Sequence, residues 1–303
     1  MKIAAVSMTY NDGYKIKEWR EHYDDYKKDI ECFVIVDNGS EKEYVEQLEA
    51  TFPEAVIIKR DSNGGCTAAY NDGIRYILEN TNADAIALIA NDIKTTENCL
   101  PALYEYLYSD ELLGIVSCAM LNKDSDIVDC NGHTIKRGKV FNDDKGKRIS
   151  EITVDKKYTD LVTGGFNMAK REFYERVGLQ DEKLFMYCDE WDTTIRAGRA
   201  GYKLGVISNE YIWHWHINPT QSGVRKPFSC YLIARNRIYL FRKHFGAFRG
   251  FMKFLTTFFV TTVKYVLMGI VRRKSLYFTY CKYTAAGALA GLVGNMKMNK
   301  YTH

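Results

Sequence analysis

Over roughly its first 120 residues the chain alternates short apolar, β-branched runs with amphipathic segments, and this rhythm constrains the fold more than any other feature. "KIAAVSMTY", "CFVIVDNGS", "AVIIKR", "AIALIAND" and "GIVSCAML" read as strands. "YKIKEWREHYDDYKK", "KEYVEQLEATF", "CTAAYNDGIRYILEN" and "LPALYEYLYS" read as the helices between them. A βαβαβαβαβ order predicts an α/β fold with a mostly parallel sheet and helices on both faces. Ligands of such sheets gather beyond the carboxyl ends of the strands, so the chain's functional residues are expected there.

Those positions carry unusual residues. "VIVDNGS" ends in Asp37, Asn38, Gly39 and Ser40, where a carboxylate past a strand can accept hydrogen bonds from a nucleobase edge or a ribose. An ordinary Asp-Asn-Gly turn explains the same residues locally. "RDSNGGCTAAYNDGI" sets Asn63, Gly64 and Gly65 before a helix that carries Asn71 and Gly73. Two glycines let backbone approach a ligand, and the helix start favours a diphosphate. "LIAND" places Asn91 and Asp92 at the end of an apolar strand, where an oxygen ligand could hold a cation bridging phosphates.

Farther on, "LFMYCDEWDTTIRAGRAGYKLG", residues 184 to 205, sets three carboxylates within four residues. On a helix starting near Asp189, the residues Asp189, Asp192 and Arg196 share a face while Glu190 points about 100° away. Acids in a first helical turn, with Asp192 and Arg196 as an i,i+4 pair, form the plain structural reading.

The net charge of +4 conceals a division. No Asp or Glu follows Glu210, whereas fifteen Lys and Arg lie between Arg225 and Lys300. Residues 1 to 210 therefore carry 27 basic and 38 acidic side chains, net −11, and the remainder +15. Such a tail suits an anionic surface, and no nucleic-acid-reading module accompanies it. "FLTTFFVTTVKYVLMGIV", residues 254 to 271, is followed by "RRK". A central Lys264 costs ~2.5 to 3.5 kcal/mol in a spanning helix, so a helix lying in the membrane interface satisfies these residues better than a crossing one. A helix packed on the catalytic domain or on a partner chain is the alternative. The eight cysteines are scattered without Cys-x-x-Cys pairs and read as reduced intracellular thiols. The amino terminus reads as a first strand and lacks the long apolar core of a signal peptide.

Taken in order, these motifs resemble the family 2 inverting glycosyltransferases, which have the GT-A fold; rhamnosyltransferase-like members are nearest in flavour. The resemblance covers roughly residues 1 to 240. It implies that Thr9, Tyr10 and Asn11 of "VSMTYN" border the nucleotide. It places Asp37 at the base, and Asn63, Gly64, Gly65 and Asn71 in the segment before and within the following helix. "LIAND" falls where the family keeps Asp-x-Asp, but Ala90 stands at the first aspartate and leaves Asp92 as the carboxylate for Mg²⁺ or Mn²⁺, beside Asn91. A histidine after the last strand is implied as a further ligand; "YIWHWHINP" supplies His214 and His216, with His216 preferred. "VTGGFNMAKREFYERVGLQDEKLFMY" is similar to the acceptor-side segment, which assigns Gly164, Gly165, Phe166 and Asn167 to the acceptor. "CDEWDTTIR" is similar to the Glu-Asp-x-Asp…Arg motif that supplies the catalytic base.

The acids of that motif are interchanged here. Counting back from Arg196 puts Glu190 at the base position, with Asp189 as its rival and Asp192 bracing it with Arg196. Trp191 is a candidate to stack on a sugar. The resemblance implies transfer from a UDP- or dTDP-sugar to a glycan or lipid-linked acceptor in bacterial surface polysaccharide synthesis. Alternatives are a noncatalytic sugar-nucleotide or glycan-binding subunit and a sugar-phosphate nucleotidyltransferase. The expected organisation is a catalytic domain over 1–240 and a helical, membrane-associating or oligomerising segment over 241–303. The expected location is cytoplasmic, peripheral at the inner face of the cell membrane, with homo-oligomers open and no nucleic-acid partner.

Overall fold

The computed structural model describes residues 1–136, 139–214 and 226–297. It divides into two compact units, one of Met1–Gln180 with Thr193–Ile217 and one of Asp181–Asp192 with Asn218–His303. The chain passes from one unit to the other within residues 181–217.

The first unit begins with β1 (Ile3–Thr9), α1 (Ile16–Tyr26), β2 (Cys32–Asp37), α2 (Lys42–Thr51), β3 (Val56–Lys59), α3 (Gly65–Asn80) and β4 (Ala85–Ile89). It continues with β5 (Ile93–Thr95), α4 (Cys99–Tyr108), β6 (Leu113–Asn122), β7 (Val128–Cys130), β8 (His133–Lys136), β9 (Lys139–Asn142) and β10 (Lys156–Thr159). Then come β11 (Phe166–Lys170), α5 (Arg171–Val177), α6 (Asp189–Arg199), whose first four residues belong to the second unit, and β12 (Lys203–His214). The main sheet runs β10-β12-β6-β11-β4-β1-β2-β3. Only β10 and β11 run against the other six strands on that path, so the sheet is mostly parallel as the alternation predicts. The order departs from a simple sequential one: β1 lies between β2 and β4, β11 inserts antiparallel between β4 and β6, and β12 lies between β6 and β10.

Alternation along the strands fills two cores. Ile3, Ala5, Phe33 and Ile35 face α1, α2 and α4, where Trp19 lies 4.6 Å from Phe52 and Tyr23 stacks on Phe33 at 4.5 Å. Ala4, Val6, Val34 and Val36 face the opposite way, toward Ile74 and Ile77 of α3 and Phe173 of α5. Gly73 lets α3 approach the sheet closely: a Cβ there would lie 2.3 Å from Cγ1 of Val6.

The second unit is helical: α7 (Pro227–Phe245), α8 (Ala247–Leu255), α9 (Thr262–Arg272) and α10 (Leu276–Val293), with a π-helical turn over Thr256–Thr261 joining α8 to α9. Two small residues bring α10 onto α7. Cβ atoms at Gly287 and Gly291 would lie 2.2 Å and 2.5 Å from the carbonyl oxygens of Tyr231 and Arg235. Among the described residues, Ala247–Arg272 is the one stretch long and apolar enough to cross a membrane by length and composition, and only 22% of its apolar window is buried.

Candidate active site

At the carboxyl ends of β1 and β2, Thr9 and Asp37 are register partners. Asp37 is 1% exposed; its Oδ2 accepts from the Ser40 amide at 3.1 Å, while Oδ1 has no hydrogen-bond partner among the described residues. A buried carboxylate oxygen without a donor is costly, about 1–3 kcal/mol or more, which a ligand N–H or O–H would relieve. The chain leaves Asp37 through Gly39 at φ +82°, where a Cβ would meet Ser62 backbone at 2.7 Å. Asn38, which the strand-end argument leaves without a role of its own, organises the next loop. Its side-chain amide donates to Asn63 Oδ1 (3.0 Å) and the Gly65 carbonyl (3.1 Å), and its Oδ1 accepts from the Gly64 amide at 3.0 Å. Arg60 packs against Gly64 and pairs with Asp72, bringing a guanidinium to the glycine loop. No local pattern in the sequence marks Arg60 for this position.

A second polar group forms beyond β4. Asn91 donates to Asp12 Oδ2 at 2.9 Å and Thr9 Oγ1 at 3.4 Å, and accepts from Lys15 Nζ at 3.5 Å. Asp92 holds His214 Nε2 at 3.1 Å through Oδ1 and Lys15 Nζ at 3.6 Å through Oδ2. Thr9 is fully buried, with its hydroxyl bonded to Tyr44 Oη and its carbonyl accepting from the Asn38 amide at 2.9 Å. Ala90, at the place of the missing aspartate, donates its amide to the Gly165 carbonyl at 2.8 Å. Among the described residues no cluster of three His, Cys, Asp or Glu gathers here. One carboxylate and one imidazole still fit a cation held chiefly by substrate phosphates and water, with His214 as the described histidine. His216 lies outside the described residues.

The remaining expectations divide. Gly165 lies beside this group, since a Cβ on it would come 3.7 Å from Ala90 Cβ and 3.8 Å from His214 Cε1. Gly164 is half-buried just before it. Phe166 does not meet the acceptor expectation: its side chain is 1% exposed and belongs to the sheet core, because β11 turns it inward. Asn167, buried on β11, donates to the Thr163 carbonyl at 3.1 Å. Asn71 exchanges two hydrogen bonds of 2.9 Å with the Gln180 backbone, a tie that fixes the chain before residue 181. Tyr10 is 44% exposed, and Asn11 at φ 50° bonds both Ser40 and the Glu41 amide.

In the second unit the acids of residues 189–192 follow a turn in which Phe185, Tyr187 and Cys188 all have positive φ, 64°, 68° and 68°. Such conformations cost about 1–3 kcal/mol each in a non-glycine residue and persist only where neighbours enforce them. The enforcing residues are Arg235 and Asn236 of α7, both fully buried. Asn236 Nδ2 donates to the carbonyls of Leu184, Met186 and Tyr187, each at 2.9 Å, and its Oδ1 accepts from Arg235 Nε at 2.9 Å. Arg235 also donates to the Leu184 carbonyl at 3.1 Å. Asp192 is fully buried, with Lys243 at 2.6 Å and His244 at 2.7 Å on its Oδ1, and Lys243 bridges on to Asp181 at 2.7 Å. Arg196, at the other end of α6, donates to the Val177 carbonyl at 2.6 Å. Trp191 packs with Leu184, Cys188 and Leu240.

The two leading acids titrate unusually. Burial, reinforced by the neighbouring Asp189 charge, raises Glu190 to about 8. Burial, reinforced by Asp192, raises Asp189 to about 6. A carboxylate that gains affinity for a proton near neutrality suits a general base.

The profile of Glycosyl transferase family 2 matches residues 10–178, more than half of the chain. The chain belongs to this family and is a glycosyltransferase, a finding that sets aside the binding-subunit and nucleotidyltransferase alternatives. It is 23% identical over 269 residues to the low-salt glycan biosynthesis hexosyltransferase Agl10 of Haloferax volcanii, covering 86% of this chain and 82% of the relative. Its fold is GT-A. It is similar to the mannosyltransferase PcManGT of Pyrobaculum calidifontis, solved with GDP-Man and Mn²⁺ (TM-score 0.58, 14% identity, 97% of this chain and 87% of that one). It is also similar to GalNAc-T7, solved with UDP, GalNAc and Mn²⁺ (TM-score 0.61, 12% identity, 80% of this chain), of which it spans about half, 48%. A third likeness is S. aureus TarS 1-349 with UDP-GlcNAc (TM-score 0.52, 14% identity, 80% and 67%).

Proposed function

We propose that the chain is an inverting hexosyltransferase that moves a sugar from a UDP- or dTDP-sugar to a glycan or lipid-linked acceptor in surface polysaccharide synthesis. The observation that carries the donor half is Asp37, buried with one carboxylate oxygen awaiting a donor beside the Asn38-organised loop of Asn63, Gly64 and Gly65. Base and ribose supply N–H and O–H groups to that oxygen, and the loop amides and Lys15 offset diphosphate charge. Asp92 and His214 would hold a Mg²⁺ or Mn²⁺. When bound, such an ion offsets the charge that develops on the departing nucleoside diphosphate.

Glu190 is the general base in this reading. Its carboxylate takes the acceptor hydroxyl proton while the acceptor oxygen forms a bond to the anomeric carbon. The bond from that carbon to the diphosphate oxygen breaks, the nucleoside diphosphate leaves with the electron pair, and the configuration inverts. Asp192, paired with Lys243 and hydrogen-bonded to His244, holds the start of α6 in place. The apolar outer side of α9 and the basic residues after it make a peripheral contact with the inner face of the cell membrane.

A panel of nucleoside diphosphate sugars screened by thermal shift, with and without Mn²⁺, tests the proposal. At a hundred times Kd a true donor adds ~2.7 kcal/mol of stability. Stabilisation by a uridine or thymidine diphosphate sugar, followed by a product of opposite anomeric configuration by NMR, is the expected result. Stabilisation by guanosine diphosphate sugars alone, or a product of retained configuration, would contradict it.

A further inference from the structure

The second unit contains a cavity of about 350 Å³ between α7, α8, the π-helical turn and α10. Its lining includes two cations, Arg237 and Lys253, together with the hydroxyl-bearing Thr257, Thr284 and Tyr265. It includes no carboxylate, and among the described residues neither cation has an acidic partner within ion-pair distance. The shortage is general in this part of the chain, which has no Asp or Glu beyond Glu210. Lys253 is pushed below its ordinary value by burial and by the neighbouring Arg237 charge. Two like charges brought together beside hydroxyl donors, without a counter-ion, form the donor side of an anion site.

A second groove of about 600 Å³ adjoins this cavity, and Val260 lines both. It is walled by the exposed stripe Phe259, Val263, Leu267 and Val271, with Lys264 and Arg272 at its margins. From Val260 to Val271 the stripe runs on the order of 16 Å, the length of a long hydrocarbon chain. A free anion has no use for that groove, whereas an amphiphile with a phosphate head fills both spaces.

We propose that the cavity binds the phosphate of a long-chain phosphate ester through Arg237 and Lys253, that its hydrocarbon chain lies along α9, and that this molecule carries the acceptor. The last clause rests on the transferase reading above; the binding site does not. Arg237 also lies against Cys188, whose thiol burial pushes up to about 12 against the pull of that guanidinium. Cys188 directly precedes Asp189 and lies two residues before Glu190, so Arg237 touches the turn that carries the proposed base.

The test uses the full chain and phosphatidylcholine vesicles in flotation assays. The vesicles are plain, doped with an isoprenyl monophosphate, or doped to equal charge with oleate, which has a carboxylate head. The expected result is binding to the phosphate-doped vesicles roughly tenfold or more above the oleate ones, lost in Arg237→Gln/Lys253→Gln and kept in Arg237→Lys/Lys253→Arg. Val263→Ser/Leu267→Ser, which leaves the cations in place, weakens binding to the vesicles as well. Equal binding to both anionic vesicles would overturn the proposal, as would wild-type binding by the Gln variant. Full competition by inorganic phosphate at the concentration of the lipid would assign the cavity to free phosphate instead. A chain that dimerises through α9 and ignores vesicles would assign the stripe to a second copy. Donor thermal shifts are measured in parallel on the same variants: their absence in wild type would sink the transferase reading and leave the lipid site standing.

Discussion

Asn236 offers the sharpest perturbation of the acidic turn. Its amide has two hydrogens for three carbonyls at 2.9 Å, so one hydrogen serves a single carbonyl and the other is shared between two. At ~0.5–1.5 kcal/mol net per bond, plus the cost of leaving buried carbonyls without a donor, Asn236→Leu removes about 2–4 kcal/mol from the turn. Leucine has the same heavy-atom branching as asparagine and opens no cavity, but it is bulkier, so overpacking at this fully buried position adds to the loss. Because the chain has two units, a global melt dilutes the effect; hydrogen exchange resolved over residues 184–192 reads it directly. Opening there should become roughly 30- to 1000-fold more frequent, with kcat falling and donor affinity unchanged, since the donor residues lie in the other unit. Wild-type exchange across 184–192, or a loss confined to donor affinity, would refute the claim that α7 holds the base-bearing turn.

Further outcomes follow from the same structure. Asp189 and Glu190 are raised from ordinary carboxylate values to about 6 and 8, so the folded state binds more protons than the unfolded chain between about pH 4 and pH 8. Stability measured by denaturant titration should therefore fall as pH rises through that window while kcat/KM rises with a midpoint near pH 8 and levels off only above it; parallel curves would contradict the assignment. Gly73→Ala should cost ~1–3 kcal/mol and lower Tm by several degrees, because its Cβ would lie 2.3 Å from Val6; an unchanged melt would mean that α3 shifts freely on the sheet. Asp92→Ala should reduce the Mn²⁺-dependent part of donor affinity about tenfold by calorimetry, leaving the part measured without metal; equal metal response in both proteins would remove Asp92 from the cation site.

The architecture was largely legible because its signals are local. Alternation in Ile3 to Thr9 and in Cys32 to Asp37 marks both strand and facing, and Ile16, Trp19, Tyr23 and Tyr26 mark the buried side of α1 at helical spacing. The insertion of β11 between β4 and β6 was not, since a strand's pattern states which faces are buried and not which neighbour it takes. Phe166 shows the consequence: read as a residue beside the acceptor, it is a core side chain of that inserted strand. Nor did glycine announce the turn before Asp189; Phe185, Tyr187 and Cys188 take positive φ because α7 imposes it. The available signal was the polar pair Arg235 and Asn236 at positions of α7 flanked by Tyr231, Leu232, Ile238 and Leu240, where helical spacing calls for apolar residues. The same pair ties α7 to the turn it clamps, and α10 packs on α7 within the same unit.

In the proposed mechanism Glu190 is the group that accepts the acceptor's proton. Single-turnover transfer by Glu190→Gln, with donor affinity measured on the same preparation, tests this most directly. The expected result is a loss of roughly 10²–10⁴ in the rate of transfer with donor binding within about twofold of wild type. Transfer at the wild-type rate by Glu190→Gln, with Asp189→Asn inactive, would move the role to Asp189 and contradict the assignment.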